Sequence, residues 1–343
     1  MSGNEMEEFL DSVLRNKVSE LDRLMEYEML SARAEGKSQK TIETTLLALR
    51  KLRYYLYINK LPTDAQLIQA EDIRLFILKL QASPRYANHP YIGNQSTTLS
   101  PISINCYLRS IRAAFNRWVA EGFIDHSPFE KVRVPKAPKK VIPTFSLEQI
   151  EALLGVIDTA TAVGFRNSLM IILYLDTACR LTEITNLKLS DVNLIERCLK
   201  IVGKGQKERI VPIGVTTQKL LWKYMNVHRP EPALPRFDHV FLTRGGRPMT
   251  KTRVEAMMKG YGRKAGISGV RCSPHTIRHT SCVMWVKNGG DLFSLQRITG
   301  HSSLEVLRGY VNLAQGDILA AHQRYSAVDN LDLKATRKRS GAR

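Results

Sequence analysis

Six polar residues in the second half of this 343-residue chain, Arg180, Lys204, His275, Arg278, His301 and Tyr310, have side chains that combine into a reaction. Two guanidinium forks match the oxygens of a phosphodiester and can grip them through paired, charge-assisted hydrogen bonds. Two imidazoles can hydrogen-bond the same group, an ammonium can release a proton, and a phenol can attack phosphorus. No other grouping in the sequence makes as much chemical sense together.

Taken singly, each residue also has a plainer reading. Arg180 ends the apolar run NSLMIILYLDTA and opens Arg-Leu-Thr-Glu, so Glu183 stands three residues on, where it could simply pair with it. Lys204 sits between Gly203 and Gly205 at the tip of a candidate hairpin and could be a solvated turn lysine. His275 and Arg278 follow Pro274, a good first helical residue, and their i,i+3 spacing lets both address one oxyanion. The nearby Cys272, His275, His279 and Cys282 imitate a metal site, but His275 and Cys282 are about 10 Å apart along a helix. No metal is therefore assigned, and His279 reads as a buried, hydrogen-bonded histidine. His301 follows Gly300 at a loop-to-helix transition. Tyr310 comes nine residues later, near a helix end, where a tyrosine ordinarily packs.

The elements that must carry these residues are mostly helical. In the first half, TIETTLLALRKLRYYLYIN, IRLFILKLQA and PISINCYLRSIRAAFNRWVAEGFI show helical spacing, the last behind a Ser-Pro start. Strand signals are missing there, so a small all-α bundle is expected, with Lys51, Arg53, Arg109, Arg112 and Arg117 available for a basic face. A polar loop without periodicity occupies 82–98. KVRVPKAPKKVIP, with three prolines and five basic residues, suits a semi-extended linker. The second half opens with Ser146-Leu-Glu-Gln149, an N-cap signature. A hairpin is expected from CLKIVG and ERIVPI, a short strand from HVFLT, and a Thr250-capped helix from KTRVEAMMKGYGRKAG. The resulting boundaries are an acidic segment at 1–30, an all-α domain at 31–130, the linker at 131–144, a mixed domain at 145–326 and a basic tail at 327–343.

Charge points to a polyanionic partner. Lys+Arg 51 against Asp+Glu 32 gives +19, and residues 1–30 alone net −5, leaving +24 on the remainder. Nucleic acid suits this excess better than a membrane, and an inert basic surface is the bland alternative. No run approaches the length of a membrane span, and the start lacks a signal peptide's pattern, so a cytoplasmic protein is expected. Five cysteines with no CxxC pair fit free thiols in a reducing compartment.

In this order and spacing, Arg-x-x-Glu, Gly-Lys-Gly, His-x-x-Arg-His and Gly-His with Tyr nine residues on, the sequence resembles the tyrosine recombinase/phage integrase family. DTACRLTEITNLKLSDV, VGKGQKERIVPI, SPHTIRHTSCVMWVKNGGD and ITGHSSLEVLRGYVNL carry the resemblance over about residues 145–325. It departs from the common pattern in Ala178-Cys179, where Gly-Leu is usual, and in the long loop at 82–98.

The resemblance implies a mainly α fold with a small β-hairpin: a two-domain clamp of an all-α core-binding domain and a mixed α/β catalytic domain. It implies Tyr310 as nucleophile, Arg180 and Arg278 as phosphate clamps, and His275 and His301 completing the cradle, His275 with the option of taking the tyrosine's proton. Lys204 would be the general acid. No cofactor or metal is implied. The partners would be double-stranded DNA and three further copies in a homo-tetramer on paired sites, passing through a Holliday junction, and the family admits an accessory directionality protein. The apolar stretch Ile318-Leu319-Ala320-Ala321 would suit docking on a neighbouring subunit. Length, the 82–98 loop and the acidic start favour integration or excision of a mobile element. Alternatives are Xer-like dimer resolution, a type IB topoisomerase-like activity and a catalytically silent DNA-binding protein.

Overall fold

The computed structural model describes residues 20–85, 97–136, 143–203, 205–301 and 303–314, together with 322, 326 and 328. The chain divides into two compact units, Met1–Lys140 and Val141–Arg343. Its described residues are mainly helical, with one three-stranded sheet. None of the helices among them is long and apolar enough to cross a membrane.

Among the described residues the first unit holds four helices, α1 (Leu21–Ala34), α2 (Gln39–Ile58), α3 (Ala70–Ala82) and α4 (Pro101–Ala120). Ser38 and Ser100 start α2 and α4 by accepting the amides of Thr41 and Ser103 at 3.2 Å, which satisfies donors that a helix leaves free. Their apolar stripes meet in one core that includes Leu24, Leu49, Leu52, Phe76, Phe115 and Trp118. Leu21 and Leu24 of α1 lie in that core, so residues 21–30 belong to the helical bundle rather than to a separate acidic segment. Val132 is also core, so this unit extends past the expected start of the linker at 131. Much of the expected basic face is engaged internally. Arg53 pairs with Asp22, Arg117 with Glu35 and Glu28, and Arg112 donates to the Val132 carbonyl. Residues 137–142 of the linker lie outside the described residues, as do 86–96 of the polar loop.

The second unit begins as its sequence suggests. Ser146 and Gln149 exchange backbone-to-side-chain bonds of 3.1 and 3.2 Å and start α5 (Leu147–Gly155). Helix α6 (Ala162–Thr177) is apolar on nearly every face and is buried accordingly. Short α7 (Leu181–Thr185) leads to a sheet of β1 (Val192–Asn193), β2 (Cys198–Val202) and β3 (Glu208–Pro212), antiparallel in that order. Strands β2 and β3 pair from Cys198↔Pro212 to Val202↔Glu208, so the alternation sends Leu199, Ile201 and Val211 inward. Strand β1 was not evident from sequence because two residues carry no periodicity. HVFLT is not a strand. It makes only the isolated bridges Lys188↔His239 and Leu242↔Pro248, and its Val240, Phe241 and Leu242 are fully buried core chain. Helices α8 (Val215–Lys223), α9 (Lys251–Lys264), α10 (Pro274–Lys287), α11 (Leu292–Thr299) and α12 (Glu305–Ala314) follow. Thr250 caps α9 by accepting the Arg253 amide.

Candidate active site

The site is built where three helix ends meet. Helix α6 stops at Thr177, and Ala178 takes a left-handed conformation (φ 49°) that turns the chain sharply into Cys179 and Arg180. Arg180 is the residue before α7, so its side chain leaves the core just where the chain changes direction. Glu183, buried at the start of α7, holds it from two sides. One carboxylate oxygen accepts the Arg180 amide at 2.7 Å, and the other accepts Nη1 at 3.0 Å. Nη2 of Arg180 donates to the Gly300 carbonyl at 2.9 Å.

The same carboxylate receives a second arginine. Arg209 of β3 donates to both oxygens of Glu183, at 2.9 and 2.8 Å, and through Nε to the Ile298 carbonyl at 2.8 Å. Burial pushes the Glu183 carboxyl up, but bonds from Arg209 and Arg180 outweigh it and hold the group below the usual carboxylate range. Arg209 was missed in the sequence. The available signal was parity, since Arg209 shares the inward face of β3 with the buried Val211.

Arg278 lies on α10, a hundred residues from Ala178, yet its Nη1 donates to the Ala178 carbonyl at 2.5 Å. Its Nη2 donates to the Thr299 carbonyl at 3.0 Å and meets Nε2 of His301 at 3.1 Å. A guanidinium has no lone pair to give, so His301 Nε2 is the acceptor there and its proton must sit on Nδ1. Nδ1 duly faces the Thr299 hydroxyl at 2.7 Å. Burial, then Arg278 and Arg180, push the His301 imidazole down to about 4, so it is neutral. In this arrangement His301 steadies Arg278 rather than presenting an N–H to a ligand.

His275 sits exposed on the first turn of α10, and burial of part of its ring together with Arg278 and Arg271 lowers its pKa. Its Nε2 lies 2.8 Å from Nε2 of His279, one turn further on. His279 Nδ1 in turn lies 2.7 Å from the Tyr310 hydroxyl. Tyr310 is 4% exposed, and burial, with Cys282 beside it, raises its phenol well above the ordinary value. The contact between Tyr310 and the imidazoles thus runs through His279, not directly to His275.

A cleft of about 880 Å³ opens over these groups, lined by Arg180, Arg278, His275 and His301 with Arg271 and Lys251 at its margin. The structure therefore gathers Arg180, Arg278 and His301 into one hydrogen-bonded set and joins His275 to Tyr310 through His279. Lys204 lies outside the described residues, but its neighbours Gly203 and Gly205 line a second cleft shared with Arg180 and His301. Among the described residues, none of the His, Cys, Asp and Glu side chains gather into a group that could hold a metal ion.

A helical chain with paired arginines and imidazoles around one cleft, and a phenol one imidazole behind it, has the makings of a phosphoryl-transfer enzyme, and comparison with known proteins says which kind. The model of the Phage integrase family matches residues 144–316. Tyrosine recombinase XerD of Listeria monocytogenes serovar 1/2a is 29% identical over 282 residues, 82% of this chain and 90% of the relative. Tyrosine recombinase XerC of Chlamydia muridarum is 32% identical over 250 residues, 72% of this chain and 74% of the relative. In fold, the chain is similar to XerH site-specific recombinase in its post-cleavage complex with palindromic difH substrate, with a TM-score of 0.67, 20% identity, and 95% and 89% of the two chains covered. The chain belongs to the phage integrase family of tyrosine recombinases, enzymes that cleave and rejoin DNA.

Proposed function

We propose that this protein is a site-specific recombinase whose Tyr310 attacks the scissile phosphate of double-stranded DNA. The phenolic oxygen forms a 3′-phosphotyrosyl bond, the bond to the 5′-oxygen breaks, and Lys204 gives that oxygen its proton. Reversal of the same step rejoins the strand without ATP, because the bond energy is kept in the covalent link. Arg180 and Arg278 clamp the non-bridging oxygens, with His275 at the rim and His301 holding Arg278 in place. The observation that carries this reading is the junction of Arg180, Arg278 and His301 at one cleft with Tyr310 one imidazole away.

Recombination between two sites needs four such cleavages, so the proposed assembly is a homo-tetramer passing through a Holliday junction. The loop at 82–98 and the acidic start favour integration or excision of a mobile element. A second reading, resolution of chromosome or plasmid dimers, is supported by the XerC and XerD relatives, which match over most of their length. Covalent trapping tests both levels. Nicked duplexes from the host genome and its elements are incubated with wild type and Tyr310→Phe, then resolved on a denaturing gel. A protease-sensitive shifted band lost in Tyr310→Phe is expected, and a band that persists in that variant refutes the assignment. Sequencing the trapped DNA separates the roles. Element ends indicate integration and excision, whereas a single chromosomal or plasmid locus indicates dimer resolution.

A further inference from the structure

A seventh residue stands between the proposed nucleophile and solvent. His279 contacts Tyr310 through Nδ1 at 2.7 Å and His275 through Nε2 at 2.8 Å, and no other described imidazole is bonded to the phenol. The two rings of α10 are stacked edge-on, with centroids 4.2 Å apart, as the i,i+4 spacing of one helix face allows. His275 is the exposed end of this row and Tyr310 is the buried end.

We propose that His279 is the catalytic residue that takes the proton of Tyr310, and that His275 relays it to water. This rests on Tyr310 being the nucleophile. The phenol has two partners within reach, His279 and the Cys282 thiol, and one arrangement of the row has it donate to His279. The Tyr310 hydroxyl donates to Nδ1 of His279, whose proton then sits on Nε2 and is donated to Nε2 of His275, which carries its own proton on Nδ1. When the phenolic oxygen bonds to phosphorus, its proton moves to His279 Nδ1. The Nε2 proton of His279 passes to His275, and His275 returns a proton from Nδ1 to solvent. No charge is left in the buried part of the row. The leaving 5′-oxygen is protonated separately, from Lys204.

The environment keeps the accepting nitrogen of His279 unprotonated. The groups facing His279 are His275 and Arg278 on its own helix, Tyr310 on α12, and His301 on the loop before it. Burial, then His275 and Arg278, bring the His279 imidazole down to about 4, so its nitrogens are free to accept at neutral pH. Such a ring is a poor place to store a proton and a good place to pass one through.

The test uses the full chain and a nicked duplex carrying the site recovered by covalent trapping. Single-turnover cleavage is compared for wild type, His279→Ala, His279→Asn and Tyr310→Phe. His279→Asn keeps a polar atom where Nδ1 stands but cannot reach His275. A loss of about 10²-fold is expected in both His279 variants, within the usual range for a general base. The loss should shrink as pH rises, and it should be equally large on a duplex whose 5′-leaving oxygen is replaced by sulfur, which needs no proton. Cleavage within twofold of wild type with unchanged pH dependence overturns the proposal. So does recovery on the sulfur duplex, which would place the defect at the leaving group. Nitrogen-15 NMR of the wild-type histidines adds a test independent of any variant. His279 protonated on Nε2 is expected, and a proton on Nδ1 overturns the relay. Trapping that survives in Tyr310→Phe would instead remove the nucleophile assignment underneath, whichever way the His279 variants behave.

Discussion

Glu183→Ala should destabilise the second unit strongly, because the carboxylate holds two guanidiniums at once. Its side chain is 2% exposed and that of Arg209 is 14% exposed, so removing the acid strands a mostly buried cation. Breaking a buried pair from one side costs about 3–5 kcal/mol. For a unit of this size each kcal/mol moves the melting temperature by roughly 2–4 °C, so a fall of about 6–20 °C is expected by calorimetry. The double variant Glu183→Ala, Arg209→Met should recover part of that fall, since the cation then left without its acid is Arg180, whose side chain is 39% exposed and still hydrated. The pH dependence provides a second handle. The folded pKa of Glu183 lies below that of the unfolded chain, about 4.3. Its contribution is therefore present above about 4.3 and is lost as pH drops through the lower, folded value. Glu183→Gln should flatten this acid-side slope. A Glu183→Ala protein melting within about 3 °C of wild type, or a double variant showing the full sum of both single losses, would refute the reasoning.

Other outcomes follow from the same geometry. Arg180→Lys should cleave about 10²–10³-fold more slowly in single turnover while still binding DNA, because an ammonium cannot reproduce a fork that meets Glu183, Gly300 and a phosphate together; near-normal cleavage would argue against the clamp. Ala178→Gly should stabilise by about 0–1 kcal/mol in thermal melts, since relief of the left-handed strain slightly exceeds the entropy cost of glycine. A clear loss there would mean that packing of the Ala178 methyl in its cluster with Cys282 and Leu307 dominates. With a thiol reagent on native protein, exposed Cys106 should react first. Cys179 and Cys282, buried and pushed up to about 11, should react only on unfolding.

The sequence made the helices legible wherever a cap and an apolar stripe coincided, as at Ser100, Ser146 and Thr250. It made the hairpin legible because two short runs, CLKIVG and ERIVPI, flank the turn residues Gly203 and Gly205. HVFLT misled because an apolar run looks the same whether it pairs in a ladder or is simply buried as core. Residue types and spacing picked out the residues that the proposed function uses, but not which imidazole touches which group. His279 was read as a packed histidine because nothing in a one-dimensional spacing shows that α12 lays Tyr310 against it. Arg209 was missed for a similar reason, since parity could place it on the inward face of β3 but not against a carboxylate 26 positions earlier.

The long-range part of the site depends on a feature that belongs to helices rather than to particular side chains. Arg278 donates to Ala178 at the end of α6 and to Thr299 at the end of α11, and Arg180 donates to Gly300 just past that same end. Those carbonyls are among the last of their helices, where acceptors lack intrahelical partners and the helix dipole is negative. Two guanidiniums this close repel each other, and Arg180 does contribute to lowering the pKa of Arg278. Converging helix C-termini, with Glu183, offset that repulsion before any anion arrives. The forks are consequently oriented in the free protein, so that in the proposed reaction a bound phosphate would not need to organise them and the gain from their charge would go to the transition state. On this argument the left-handed turn at Ala178 and the glycine at 300 matter as much as the arginines, because they aim the carbonyls that hold the clamp in place.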